Sequence, residues 1–379
     1  MTTIGFLGGG QLAKMSALAA YKMGYNVAVF ESKADSPAGM MTKLDFTGDM
    51  SDDKSLSDFA AVCDVITLEN EFVNPERLRF IESLGKPVFP SPETIELIQD
   101  KLIQKQTFKD HGLPVPDFTP VSEYDSYSNI AEKIGSTFIL KSRKMGYDGY
   151  GNHFVSNQSE MLEGMKKLTG RHSTVMAEKI VKFTKELAIM VAVNSHEVAV
   201  YPVVETIQEN HICKFVIAPA DIPVGLAEKA AKIASDAVKS VKGKGIFGIE
   251  LFLTAENDIL INEMAPRPHN SGHYTIEGCT TSQFENHIRS ILELPLGRTD
   301  LVKPSAVMVN TLGKHDGEGK IFNISEILFK PDVHLHFYGK KESRKGRKMG
   351  HITKIGDDPV KIMSELTELE SKIRIGKDN

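Results

Sequence analysis

The first hundred residues alternate short apolar runs with amphipathic stretches, and that alternation constrains the fold more than any other feature. TIGFLG at 3–8 stops at Gly8-Gly9-Gly10. A helix is predicted over 11–23, ended by Gly24, and a second strand over 26–31. Residues 54–62 read as a helix and DVITL at 64–68 as a strand. Strand–helix–strand order of this kind gives a parallel sheet covered by helices. PVFPSP at 87–92 breaks the pattern, and one charged helix is expected over 93–111.

Beyond residue 114 the texture changes, with Pro114, Pro116 and Pro120 interrupting the chain. Strands are expected at 137–141, 175–180, 187–193, 198–204, 245–253 and 259–263, with helices at 158–168 and 227–241. Pro295 and Pro304 flank a second break, and 305–379 reads as a smaller tail domain. A chain of 379 residues exceeds what one core usually serves. Its net charge of −5 argues against a nucleic-acid partner. Cys63, Cys213 and Cys279 lack CxxC spacing, which argues against a zinc site. With no basic leader and no run near the roughly 20 apolar residues of a membrane helix, a cytoplasmic protein without a membrane partner is expected.

Gly8-Gly9-Gly10-Gln11-Leu12-Ala13 fits G-x-G-x-x-A, and Glu31 closes the next strand as in a dinucleotide fingerprint. Alone this would suggest a nicotinamide-dependent dehydrogenase. Any phosphate or carboxylate, however, suits backbone N–H groups at a helix start.

The middle of the chain is more informative. Lys141 ends a strand, and Gly146-Tyr147-Asp148-Gly149-Tyr150-Gly151 follows as a loop whose N–H groups could close over phosphates. Glu178, followed by Lys179, Ile180 and Val181, could meet an adenine edge, and Glu186 ribose hydroxyls. If Glu256-Asn257 is a two-residue hairpin loop, Glu250 and Glu263 face each other. Two carboxylates that close repel by roughly 4 kcal/mol at an effective dielectric of about 20 unless a divalent cation lies between them. Magnesium meets that demand. Arg267, Asn270, Ser271 and His273, in a proline-stiffened segment, could converge on an anion or a hydroxyl. Tyr338-Gly339-Lys340 and the basic run 344–348 suit a phosphate ester.

Together these motifs resemble the ATP-grasp superfamily and, within it, the 5-(carboxyamino)imidazole ribonucleotide synthase family. The resemblance is carried by GGGQLAKM at 8–15, ENEF at 69–72, QDKLIQK at 99–105, ILK at 139–141 and GYDGYG at 146–151. It continues with AEK at 177–179, INEMAPRPHNSGH at 261–273, SQFENH at 282–287 and GRKMGH at 346–351. It implies an α/β and α+β fold: a Rossmann-like N-terminal domain (1–95), a central ATP-grasp domain (96–300) and a small β-rich C-terminal domain (301–379). ATP would fall to Lys101, Lys141, residues 146–151 with Asn152, Glu178 to Val181, Glu186, Gln208, Asn262 and Glu263. Glu250 and Glu263 would hold magnesium, or manganese in its place. The aminoimidazole ribonucleotide would meet Gln11, Glu71, Asn270, Ser271, His273, Lys340 and Arg347. Lys101 and Gln208 stand where an Arg and a His occur in some relatives.

The implied reaction is ATP-dependent carboxylation of aminoimidazole ribonucleotide by bicarbonate through carboxyphosphate, with Arg267, His273 and Lys340 as catalytic residues and a homodimer as the assembly. The alternatives are a sister ATP-grasp ligase, such as a formate-dependent glycinamide ribonucleotide transformylase or a biotin carboxylase, the dehydrogenase, and an inactive scaffold. The first would share Lys141, Glu250 and Glu263 but not GRKMGH.

Overall fold

The structure is a computed structural model, and it describes residues 1–146, 151–169 and 174–376. Among the described residues three main sheets carry the fold. The first has five parallel strands in the order Leu44–Thr47, Asn26–Glu31, Thr3–Leu7, Val65–Leu68, Val88–Phe89. That 3-2-1-4-5 order is doubly wound. Thr3–Leu7 is buried throughout because both faces are covered. Ala13, Ala17 and Ala20 of the helix Gln11–Lys22 pack on one face, and Leu56, Phe59 and Ala60 of the helix Asp53–Ala61 on the other.

The second sheet is antiparallel, in the order Phe118–Val121, Val175–Lys179, Phe138–Ser142, Asn152–Val155. The helices Tyr127–Ile134 and Gln158–Thr169 bury Ile130, Ile134, Met161 and Leu168 against it.

The third and largest sheet is also antiparallel. It runs Ile259–Ala265, Gly245–Thr254, Phe183–Val193, Val204–Glu209, Ile212–Ala218, Ser305–Leu312, Lys348–Gly356, Val333–Phe337. Phe108 of the helix Lys101–Asp110 and Ile233 and Ala237 of the helix Val224–Ser240 pack on Leu187, Ile189 and Leu251 of one face. The C-terminal strands continue this sheet, because Ile212–Ala218 pairs with Ser305–Leu312. The helix Pro359–Lys372 seats Leu366 and Leu369 on Val307, Val309 and Ile352 behind them. No described helix is long and apolar enough to cross a membrane.

Two expected elements are divided. The helix expected over 93–111 is two, Pro92–Gln99 and Lys101–Asp110, because Asp100 leaves the helical region at φ −103°, ψ 112°. Its carboxylate accepts the N–H groups of Leu102 and Ile103 (3.0 and 3.4 Å) and the fork of Arg143 (Nε 3.0 Å, Nη2 2.7 Å). Capping a new helix and pairing with Arg143 outweigh one more turn of the old one. The strand expected over 198–204 is interrupted between Val198–Val200 and Val204–Glu209, where Pro202 has no N–H to donate to a ladder.

The helix Gln283–Ile291 wedges between the first and third sheets, and its Ile288 and Ile291 complete the N-terminal core. Beside them His287 is buried, with Nε2 2.9 Å from Thr67 Oγ1, while the Ile246 N–H donates to Nδ1 (3.3 Å). Those partners require a neutral ring protonated at Nε2. Burial holds its pKa down to about 4. A pKa depressed on folding means the stability is fully present above the unfolded value of about 6.5 and drains away as pH falls toward the folded one. Acidification from about pH 7 to about pH 5 should therefore withdraw about 2 kcal/mol through His287 alone. His287→Gln should start less stable at the higher pH and lose correspondingly less, as read by thermal unfolding at both values.

Candidate active site

The hairpin of Gly245–Thr254 and Ile259–Ala265 organises the site. Its loop is longer than the two residues expected. The Thr254 N–H donates to the Asp258 carbonyl (3.0 Å), and Asn257 lies at φ +64°, so Ala255, Glu256 and Asn257 form a three-residue turn ending in a left-handed residue. With Leu253 opposite Ile259 and Leu251 opposite Ile261, that turn alone would set Glu250 against Asn262. A β-bulge then inserts Asn262 as an extra residue, and Glu250 pairs with Glu263. The expected juxtaposition holds because the longer loop and the bulge offset each other. The bulge also lets Asn262 Nδ2 donate to Glu250 Oε2 (3.2 Å).

The two carboxylates are half-buried where the small and large sheets face each other, with 32% and 38% of their side chains open to solvent. Burial, then repulsion from Glu263 and Glu186, pushes Glu250 up to about 7. On Glu263 the upward push of burial is overcome by Lys101, whose ammonium forms an ion pair with Oε2, and the carboxyl falls to about 2. Lys101 is delivered by the Asp100 cap, at the first position of its helix. Glu186, paired in register with Thr206 and Phe252, lies on the same sheet face; burial raises its carboxyl, and Gln208 donates to it.

The small sheet supplies the facing wall. Lys141 Nζ lies 2.5 Å from Glu178 Oε1, and Lys105 Nζ 2.6 Å from Glu178 Oε2. The expectation that the Glu178 carboxylate faces an adenine is corrected: it is 3% exposed and held between two lysines. Lys105 went unassigned by sequence, although it stands four residues from Lys101 on one helix, the spacing that puts two side chains on one face. Burial lowers its ammonium to about 8 against the pull of Glu178. The Lys179 side chain turns outward to Asp117 (3.1 Å), and Ile180 and Val181 are half-buried in the link to Phe183–Val193. Gly146, Gly151 and Asn152, the last paired with Lys141, flank the glycine-rich loop, of which Tyr147, Asp148, Gly149 and Tyr150 lie outside the described residues.

Just beyond the C-terminal end of the strand Val65–Leu68, Arg267 grips Glu71 through Nε (2.5 Å) and Nη2 (3.1 Å). Against burial, Arg267 draws the Glu71 carboxyl below its usual range. Glu69 accepts N–H groups of Gly10 and Leu12 at the helix start, and Glu31 accepts that of Gly9 (3.0 Å). A Cβ on Gly10 would overlap the Glu69 carboxylate. The chain's own carboxylates thus occupy the donors a pyrophosphate would need, which removes the basis of the dehydrogenase reading. Gln11 opens the same helix and is half-buried.

The segment after the hairpin behaves differently from expectation. His273 is 1% exposed, with Nδ1 3.0 Å from Gln283 Nε2 and its ring among Phe284, Tyr338 and His351. Burial holds it neutral. The imidazole that reaches the carboxylates is His269, Nε2 3.5 Å from Glu250 Oε1, with Ser271 Oγ 2.9 Å from its Nδ1. Asn270 exchanges amide hydrogen bonds with Asn310 (2.9 and 2.7 Å). Lys340 Nζ donates to the Lys348 carbonyl (2.7 Å), and Arg347 Nη1 to that of Glu342 (2.7 Å). Lys14, unassigned by sequence although GGGQLAKM contains it, reaches across from the N-terminal domain to the carbonyls of Phe337 and Tyr338 (3.1 and 3.2 Å).

Family models match in this order: a ribonucleotide synthetase preATP-grasp domain over 1–99, an ATP-grasp domain over 106–284, and a phosphoribosylaminoimidazole carboxylase C-terminal domain over 306–365. The N5-carboxyaminoimidazole ribonucleotide synthase of Synechococcus elongatus is 39% identical over 92% of this chain and 88% of its own length. The Thermotoga maritima N5-carboxyaminoimidazole ribonucleotide synthetase crystal structure superposes with a TM-score of 0.88 at 39% identity, covering 100% of both chains. The chain belongs to this synthase family. An Aspergillus clavatus member, crystallised with ADP and 5-aminoimidazole ribonucleotide, has a TM-score of 0.87 at 33% identity over 98% of each chain. The chain spans 66% of the length of a longer relative, the phosphoribosylaminoimidazole carboxylase of Ogataea methanolica, to which it is 43% identical.

Within this synthase family's fold, the Arg267–Glu71 fork ties the ATP-grasp segment to the N-terminal sheet. Arg267→Lys keeps the charge and loses the second bond. It should lower ATP turnover at least about tenfold while leaving the unfolding temperature within a few degrees, read by coupled ADP release and thermal melts.

Proposed function

We propose that the chain carboxylates 5-aminoimidazole ribonucleotide on its exocyclic amine, using ATP and bicarbonate and releasing ADP and phosphate. The observation that carries the reading is the facing Glu250–Glu263 pair, bordered by the Lys101 and Lys141 ammonium groups in one cleft. Family membership and the Aspergillus relative's complex with the ribonucleotide support the substrate.

The nucleotide would lie between the small and large sheets. Lys101 and Lys141 would meet its phosphates, Glu186 and Gln208 its ribose, and the backbone of Glu178 to Val181 its base. Magnesium fits the carboxylates present. Burial and the neighbouring charges of Glu263 and Glu186 raise the Glu250 pKa, and Glu263 is paired with Lys101. Among the described residues no group of three or more His, Cys, Asp or Glu side chains is placed to hold a metal, which suits an ion that completes its shell with water and phosphate oxygens. When bound, it would spread the charge of the transferring phosphoryl group.

A bicarbonate oxygen attacks the γ-phosphorus, the bond to the bridging oxygen of ADP breaks, and carboxyphosphate forms. The ribonucleotide amine then attacks the carboxyl carbon, the bond to phosphate breaks, and the proton lost by the amine passes to the departing phosphate. We assign Arg267 to bicarbonate, Lys340 and Arg347 to the ribonucleotide phosphate, and Gln11, Asn270 and Ser271 to its surroundings. His273, buried, acts through Gln283 on the 269–271 turn. We further propose a homodimer and domain limits near residues 95 and 300.

The test is ADP release with each substrate omitted in turn. Both bicarbonate and the ribonucleotide should be required. Full ADP release with formate and glycinamide ribonucleotide instead would contradict the proposal. Glu263→Gln should cut turnover by about two orders of magnitude and weaken its magnesium dependence.

A further inference from the structure

We propose that Lys105 is a positioning residue for the ATP reaction, fixing through Glu178 where the Lys141 ammonium stands and how much of its charge a phosphate meets. This rests on ATP being the substrate.

The three groups form a line, lysine–carboxylate–lysine. Each ammonium takes a different oxygen of Glu178, Lys105 at 2.6 Å and Lys141 at 2.5 Å. Lys105 and Glu178 are each 3% exposed, and Lys141 is 11% exposed, so the line has a sealed end and an end at the cleft. Lys105 is fixed from behind by the Ile261 carbonyl (3.2 Å), beside the bulge that sets Glu263. Taken alone, one negative charge between two positive ones leaves a surplus of +1; Glu263 also feels Lys141 but is itself paired with Lys101, so the surplus is only partly offset, and burial makes such a charge expensive. An anion at the cleft end relieves it, and Lys141 is the member that reaches there.

The role of Lys105 follows from removing it. Glu178 would then belong to Lys141 alone, the pair would be neutral, and a phosphate would meet little net charge. A carboxylate shared between two lysines holds each less tightly than one it owns. Lys105 thus keeps Lys141 both located and electrostatically available, without itself touching the nucleotide.

Three variants of the full chain test this: Lys105→Met, Glu178→Gln and the double variant, with KM and kcat measured separately for ATP and for the ribonucleotide. Lys105→Met should raise the ATP KM about tenfold, the scale of one charged hydrogen bond, and leave the ribonucleotide KM within about twofold. Adding Glu178→Gln should return most of that loss, because Lys141 regains its charge. An ATP KM within about twofold of wild type, or a double variant no better than Lys105→Met, overturns the inference. A merely structural lysine would move both KM values together and lower the unfolding temperature without rescue. Should Lys105→Met not fold, Lys105→Gln, which keeps a donor toward Glu178, reads the same constants. A wild type that releases no ADP with these substrates counts against the assigned reaction. Calorimetric titration with ADP, expected to show the same order of affinities across the variants, then still decides the lysine's role, and equal affinities would overturn it.

Discussion

Two carboxylates held face to face organise this molecule. Glu250 and Glu263 sit on adjacent strands at one register position, where the ladder fixes both Cβ atoms close together on one face. The polar groups around them answer that constraint. Lys101 neutralises one, Asn262 donates to the other, and His269 stands within reach, held neutral by burial at a pKa of about 4. The bulge that produces the pairing also supplies Asn262, so one inserted residue sets two features of the site.

Around this centre the three parts of the chain are joined by charge and by core packing together. The Arg267–Glu71 fork, the Lys14 contacts with Phe337 and Tyr338, and the Lys341–Asp35 ion pair (2.7 Å) link the N-terminal sheet to the later segments. Leu12, Met15, Phe284 and Tyr338 form a small shared core where they converge. The family motifs meet here as well: His273 of one and His351 of another pack 5.1 Å apart, and His351 stacks on His336 at 4.6 Å. That contact gives both histidines a packing reason for their positions.

Much of this was legible in the sequence. Short apolar runs marked the strands, and the glycine turn marked the first βα unit, because those signals are local. The Glu250–Glu263 pairing was reached by register arithmetic whose two departures cancelled. The break at Asp100 was missed because it depends on Arg143, a partner distant in sequence. The same holds for Lys105, whose meaning comes from Glu178, and for Lys14, whose partners are more than 300 residues away. His273 was misplaced for the opposite reason. A histidine in a donor-rich motif looks the same whether it lines the cleft or is 1% exposed in a core, and only packing separates the two. Tertiary ion pairs and burial are set by the fold, and a single sequence shows them only as residue types.

We propose that the facing glutamates hold a nucleotide-bound cation. Crystals grown with manganese and a non-hydrolysable ATP analogue, with anomalous scattering recorded at the manganese edge, test it most directly. One peak is expected between Glu250 and Glu263, about 2 Å from an oxygen of each, with Lys101 released from Glu263 toward phosphate. A metal peak lying elsewhere, with Glu263 still paired to Lys101 and Glu250 to Asn262, would contradict it.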